Sequence, residues 1–276
     1  MNDEGEIECH EGADLHVHTT ASDGTLTLDE VPAAAQTGGV DLVAITDHDR
    51  VHPGLSAPVT QVDGVTILRG IELRVDARGQ RIDLLGYGVK KTQALENLIE
   101  EIQQNRIERG RRMISAVESE LNTALDVTIE EGFGRPAVAR AIDESTAPYD
   151  YSQAFEDLIG HGCPCYLKRE VPSFADAISI LRSSCAFVGL AHPFRYPDVD
   201  AAIQCATKLD AIERYYNYRP QNASKNDPGR IETVADANNL SMLGGSDAHN
   251  RTLGVAGPPL SAITDLTRAV STFTDQ

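Results

Sequence analysis

The chain has 276 residues, 41% of them hydrophobic, and carries 42 acidic against 24 basic side chains, a formal charge of −18. This length suits one large α/β domain, or a barrel with a small insertion, better than several domains. The charge repels nucleic-acid backbones and anionic membranes, so neither stable binding of duplex nucleic acid nor membrane association is expected.

Reading from the N-terminus, Met1-Asn2-Asp3-Glu4-Gly5-Glu6 is acidic where a signal peptide would be basic and then apolar. A cytoplasmic location is therefore expected, with His10 read as part of a disordered start. Seven apolar runs of strand length follow: Asp14–His18, Val40–Asp47, Val65–Glu72, Ile82–Gly86, Ala186–His192, Ala211–Tyr215 and Leu240–Asp247. They alternate with longer amphipathic stretches, the pattern of a parallel sheet with crossover helices, and this regularity predicts an α/β, TIM-like barrel. Thr27-x-x-Glu30 and Ser173-x-x-Asp176 have the form of capping boxes at helix starts. The longest uncharged apolar stretch, Ala186 to Ala191, is far shorter than the roughly 20 residues of a membrane-spanning helix.

The rhythm breaks between Tyr87 and Ala186. Leu95, Leu98, Ile99 and Ile102, then Met113, Ile114, Val117 and Leu121, keep a helical period, and helix-like text recurs at Pro136–Asp143 and Gln153–Ile159. Residues 92–165 are read as a small helical subdomain inserted over the barrel mouth, where it would select substrates, and residues 1–91 and 166–276 as the barrel. The five cysteines (Cys9, Cys163, Cys165, Cys185, Cys205) contain no Cys-x-x-Cys pair and are expected to be reduced packing residues.

Barrel enzymes build their sites at the C-terminal ends of strands. Here the ends of the predicted strands carry His16 and His18, Asp47 and His48, Glu72, Asp83, His192, Glu213, and Asp247 with His249, and Asp23 lies in the loop after the first. His16 and His18 share one side of an extended segment, because side chains alternate with period two. Any one of these pairs is ambiguous, but their joint placement predicts a metal site. Imidazoles mixed with carboxylates and no thiolate suit Mn²⁺, taken as the leading candidate, with Zn²⁺, Fe²⁺, Co²⁺ or Mg²⁺ as alternatives. So many ligands exceed the needs of one ion, so two or three ions are expected, with Glu72 as the bridging carboxylate. Such a cluster can hold the attacking and leaving oxygens of a phosphoryl group, and a bridging hydroxide would attack phosphorus in line. Arg135, in Gly134-Arg135-Pro136, and Arg195 are candidate phosphate contacts, the alternative being ordinary solvated or ion-paired arginines. His52 is read either as a rim proton donor or as a plain loop histidine, and His161 as a turn residue.

Asp14-Leu15-His16-Val17-His18-Thr19 with Ser22-Asp23-Gly24, then Ile45-Thr46-Asp47-His48-Asp49, Gly70-Ile71-Glu72, Ala191-His192-Pro193 and Gly245-Ser246-Asp247-Ala248-His249 resemble the PHP superfamily, named for polymerase and histidinol phosphatase. The resemblance spans nearly the whole chain. It implies a distorted seven-stranded (β/α)7 barrel and a two- or three-metal phosphoesterase site. The insertion, with Gly134-Arg135-Pro136 inside it, looks most like the branch that hydrolyses nucleoside 3′,5′-bisphosphates or trims short 5′-phosphorylated RNA. Carried over by position, His16, His18, Asp23, His48, Glu72, His192, Asp247 and His249 become metal ligands, with His18, Asp247 and His192 central to catalysis, and Arg135 and Arg195 become phosphate contacts. Two positions depart from the pattern: Asp83 stands where the family usually has a histidine ligand, and Ala137 where histidine is common. Asp83 still offers oxygen to a hard cation.

The expected activity is thus hydrolysis of a small phosphate monoester, with a phosphorylated nucleotide as the partner. The rivals are a metal-binding module with impaired catalysis and a barrel metallohydrolase that cuts a C–N or lactone bond. With only five lysines among the basic residues, the acidic, arginine-rich surface also fits a salt-loaded, halophilic host.

Overall fold

Eight strands form one sheet in the computed structural model, which describes residues 7, 9, 12–218 and 227–274; His10 lies outside the described residues. The strands are β1 (Ala13–Val17), β2 (Leu42–Ile45), β3 (Val59–Val62), β4 (Val65–Ala77), β5 (Gln80–Tyr87), β6 (Phe187–Leu190), β7 (Ala211–Tyr216) and β8 (Ser241–Gly245). The order is β1-β2-β4-β5-β6-β7-β8, with β3 paired to β4 off this path. The bridge between Val17 and Ala248, with the His18 N–H donating to the Ala248 carbonyl at 2.9 Å, brings the end of β8 back to β1. The seven strands make a nearly closed barrel.

Three details differ from the sequence expectation. The sheet is not uniformly parallel, because β5 runs antiparallel to both β4 and β6. Its cause is local: Arg78 (φ 59°) and Gly79 (φ 95°) form a two-residue turn with both φ positive, which reverses the chain into a hairpin instead of a crossover. Second, Glu72 and Asp83 are not at strand ends. β4 continues for 13 residues, so Glu72 lies within it, and the return of β5 sets Asp83 in register opposite Arg74. Third, β3 is an additional edge strand, too short and too exposed to give a periodic signal.

The apolar alternation sets the walls. Ala13 and Leu15 of β1 pack with Leu42, Leu68, Tyr87, Leu243 and Val270 in one buried cluster, which leaves Asp14 and His16 on the opposite side of the strand. Val17, Val43, Ile45 and Ile67 pack against Val31 and Ala35 of α1 (Val31–Gly38) in a second cluster. The first capping box is present: Glu30 accepts from the Thr27 backbone N–H at 3.0 Å before α1. In the second, the Ser173 hydroxyl accepts from the Asp176 N–H at 3.2 Å and caps the helix Phe174–Ser184.

The chain divides into two compact units, Met1–Glu96 with Pro172–Gln276, and Asn97–Val171. The second contains most of α2 (Gln93–Leu121), all of α3 (Arg135–Asp143) and a short helical segment, Tyr151–Gln153 continuing as a π-helical turn over Ala154–Ile159. Its own core joins Met113, Val117, Phe133, Val138, Ile142 and Leu158. All five cysteines are free thiols, and among the described residues no helix is long and apolar enough to cross a membrane.

Candidate metal centre

Within the first unit, side chains from residue 16 to residue 249 meet. Three sets have ligand atoms within 4.8 Å of one another: His18, Asp23, His48 and His249; His16, His18, Glu72 and Asp247; and Glu72, Asp83 and His192. His18 belongs to two sets and so does Glu72, so the three are contiguous. The imidazoles crowd together, with ring centroids 4.3 Å apart for His18 and His249, 4.5 Å for His18 and His48, and 5.1 Å for His16 and His18.

Local sequence explains this convergence. Period two puts His16 and His18 on the same side at the end of β1. Gly24 lets the following loop fold back, since a Cβ there would run into the His18 carbonyl, and that fold presents Asp23. His48 bridges to Glu72 just beyond β2, and its Nδ1 lies 2.8 Å from Glu72 Oε2. His192 and Asp247 sit in left-handed backbone at φ 27° and φ 51°. Non-glycine residues in such strained backbone cost roughly 1–3 kcal/mol each and persist where the surroundings over-determine them.

Several polar atoms here have no hydrogen-bond partner although they are buried: His16 Nε2, both ring nitrogens of His18, Glu72 Oε2 and His192 Nδ1. A buried carboxylate or imidazole without a partner is costly in a protein interior. Lone pairs that converge without donors between them are the donor set of a divalent cation, and these residues fit one. In the protein alone the same groups support one another. Burial opposes the charged form of His18, but the carboxylates of Asp247 and Glu72 beside its Nε2 outweigh this and carry its pKa up to about 9. Burial likewise opposes the charge on Glu72 and Asp247, yet the imidazoles beside them hold both carboxylates well below the usual range.

A second layer orients the first. Glu213, a strand-end candidate from the sequence, is in none of the three sets. Its Oε1 accepts from His16 Nδ1 at 3.0 Å and its Oε2 from the His192 backbone N–H at 2.6 Å. Asp47 is also outside the sets: it accepts from the Thr19 N–H at 2.8 Å and from the Ser22 hydroxyl at 2.7 Å, tying the loop after β1 in place. Asp14, which the sequence reading did not single out, is fully buried and accepts from the backbone N–H groups of Ser246 and Gly254, both at 2.9 Å. A buried acid two residues before His16 was the available signal. The His249 ring donates from Nδ1 to the Asp247 carbonyl at 2.9 Å, leaving Nε2 3.3 Å from Asp23.

Of the candidate arginines, Arg195 is at the centre. Its Nη1 donates to Asp247 Oδ2 at 2.7 Å and to the Tyr216 hydroxyl at 3.1 Å, while Tyr216 donates to the same Asp247 oxygen at 2.8 Å. Arg135 belongs to the second unit, at the first position of α3, with its guanidinium over the rings of Phe155 and Tyr166. Ala137 follows in the same helix. His52 is a loop residue whose Nδ1 accepts from the Gly54 N–H at 3.1 Å, and burial lowers its pKa. His161 lies in the turn after the π-helical segment, against Tyr166.

Residues 14–155 match the sequence model of the PHP domain. The chain is 30% identical over 192 residues to a 3′,5′-nucleoside bisphosphate phosphatase of Chromobacterium violaceum, covering 66% of this chain and 67% of that protein. It is 26% identical over 189 residues to a 5′-3′ exoribonuclease of Haemophilus influenzae, covering 66% and 69%. The fold superposes on a Bifidobacterium adolescentis structure named as a metal-dependent phosphoesterase with a TM-score of 0.77 and 21% identity, over 95% of this chain and 98% of the other.

Proposed function

The chain belongs to the PHP domain family of metal-dependent phosphoesterases, and on that premise we propose that it hydrolyses a phosphate monoester of a small nucleotide. The observation that carries this reading is the contiguous set of imidazole and carboxylate ligand atoms in one unit, joined through His18 and Glu72. Support for a nucleotide comes from the names of the two curated relatives, a nucleoside bisphosphate phosphatase and an exoribonuclease. Nucleoside 3′,5′-bisphosphates and short 5′-phosphorylated oligonucleotides are therefore the substrates we put first.

Divalent ions, most readily Mn²⁺, would be held by His16, His18, Asp23, His48, Glu72, His192, Asp247 and His249, and when bound supply a Lewis acid and an acidified water. The chain's own residues do the rest. His18 and Asp247 hold the centre together, because His18 is shared between two sets and Asp247 also fixes Arg195. Arg195, whose side chain is 43% exposed, presents its guanidinium beside the ligands, where a phosphate oxygen can replace the Asp247 contact in a charge-assisted hydrogen bond. His192 braces Glu72 from the other side, its Nε2 3.0 Å from Glu72 Oε1.

None of the five lysines stands at the end of a strand predicted from the sequence, which favours this reading over a C–N or lactone hydrolase that uses a lysine to hold bridging carbon dioxide. The test is incubation of the purified protein with Mn²⁺ and a nucleoside 3′,5′-bisphosphate, a 5′-phosphorylated trinucleotide or a cyclic phosphodiester, with inorganic phosphate assayed for monoester hydrolysis and the nucleotide products separated by chromatography for diester cleavage. Turnover confined to the diester would replace the monoester reading. Tight metal loading without turnover of any ester would favour an impaired module.

A further inference from the structure

The three ligand sets are not chemically alike. Unpartnered buried ring nitrogens occur in all three, His18 Nδ1 and Nε2 and His16 Nε2 in the two that contain His18 and His192 Nδ1 in the third, so the difference lies in the carboxylates. In the third, Asp83 is already fully engaged. Its Oδ1 accepts from Arg74 Nε at 2.7 Å and its Oδ2 from Arg74 Nη2 at 2.7 Å, a parallel two-pronged contact across the β4–β5 hairpin. The pair is fixed on both sides. Asp83 is 1% exposed, and its backbone N–H donates to the Tyr196 hydroxyl at 2.8 Å. The Arg74 backbone N–H donates to Asp49 Oδ1 at 3.3 Å.

The Asp83 oxygen that faces His192 Nε2, 3.7 Å away, is the one bonded to Nη2. An ion coordinated there would stand within a few ångströms of a permanent positive charge in a place poor in water, and the two repel. Arginine stays protonated at any working pH, so no change of pH removes the obstacle. The Arg195 contact with Asp247 differs in kind. It uses Oδ2 only and leaves Oδ1 directed at His18 (3.1 Å) and His16 (3.5 Å), so that carboxylate remains free to act as a ligand.

We propose that Arg74 takes the place of a third cation: the set Glu72, Asp83 and His192 is closed by the guanidinium, and the centre holds two exchangeable divalent ions. The assignment rests on the metal-dependent reading above and makes it definite. Of the acidic groups at the centre, Asp83 is balanced by Arg74, whereas Asp23, Glu72 and Asp247 face the imidazoles and the two ions. The exposed part of Arg74, whose side chain is 38% accessible, also leaves a fixed positive charge at the rim of the site.

The test is metal stoichiometry. The intact protein is saturated with Mn²⁺, desalted and measured for manganese per chain by mass spectrometry, with a calorimetric titration of Mn²⁺ in parallel. The wild type should hold two ions and the Arg74→Ala variant three. Because Arg74→Ala leaves a buried carboxylate without its partner and can fold poorly, the double variant Arg74→Ala with Asp83→His is measured as well. It replaces the buried charge with a neutral ligand and should also hold three. Three ions in the wild type, or two in the double variant, would overturn the assignment. A wild type that binds no ion would remove the phosphoesterase reading beneath it, a result distinct from either.

Discussion

The Glu213 carboxylate stands 3.0 Å from Nδ1 of His16, a residue 197 positions earlier in the chain. The contact holds His16 as the tautomer whose Nε2 lone pair faces the centre, and the second Glu213 oxygen anchors the His192 backbone at 2.6 Å. Glu213 therefore orients two candidate ligands while standing outside the three sets. Glu213→Gln should weaken Mn²⁺ binding by about 10–100-fold while leaving the number of sites unchanged. Titration calorimetry checks this, and an unchanged affinity would refute the orienting role.

His18 is shared by two of the ligand sets, and Asp247 joins one of them to Arg195, so the loss of either should be felt beyond one ion. His18→Ala and Asp247→Ala are each expected to lower kcat/KM by more than the ~100-fold that an orienting partner can cost. Circular dichroism should report a retained fold. Phosphate release close to wild-type rates in either variant would exclude the site as described.

The metal-free centre has a definite pH signature. The pKa of His18 is raised to about 9 from 6.5, so its contribution to stability is fully present below pH 6.5 and is lost as pH rises through about 9. Glu72 and Asp247 are shifted downward, so theirs is present above the ordinary carboxylate range and is lost only in strong acid. Melting in excess chelator should therefore fall in Tm between pH 6.5 and 9.5. With Mn²⁺ the ligands must be unprotonated, so loading should release protons and tighten over the same interval. A metal-free Tm that stays level from pH 6.5 to 9.5 would contradict the arrangement.

Gly245 closes β8 against β1. A Cβ at that position would run into the backbone nitrogen and Cβ of His16, and neither can move without displacing a ligand. Gly245→Ala should destabilise the fold by about 1–3 kcal/mol, the usual range for overpacking, and weaken metal binding as well. Urea unfolding monitored by circular dichroism gives the first quantity and calorimetry the second.

The charge of −18 predicts a response to salt. Molar KCl shortens the reach of repulsion to about 3 Å, so Tm should rise from low salt to 1 M KCl and then level off. A Tm that is highest at low ionic strength would argue against a salt-adapted surface.

Local sequence was enough to specify the first candidate ligands and the general architecture. Period-two alternation put His16 and His18 side by side, apolar runs of strand length alternating with amphipathic stretches gave the α/β barrel, and the capping box at Thr27 and the N-cap at Ser173 marked real helix starts. These features depend on neighbours within a few residues, which is why a linear reading reaches them. The hairpin at Arg78-Gly79 was not legible, since a turn and a crossover can follow the same apolar run, and it moved Glu72 and Asp83 from strand ends into strand bodies. With it came the Arg74–Asp83 pair, nine residues apart but joined only by antiparallel register. Glu213, as legible a candidate ligand as any, became a support for His16 because the tertiary fold placed it behind the imidazole and not in front. Which acidic group faces a cation and which faces a guanidinium depends on three-dimensional distance, and that was decided only when strands from both ends of the chain came together.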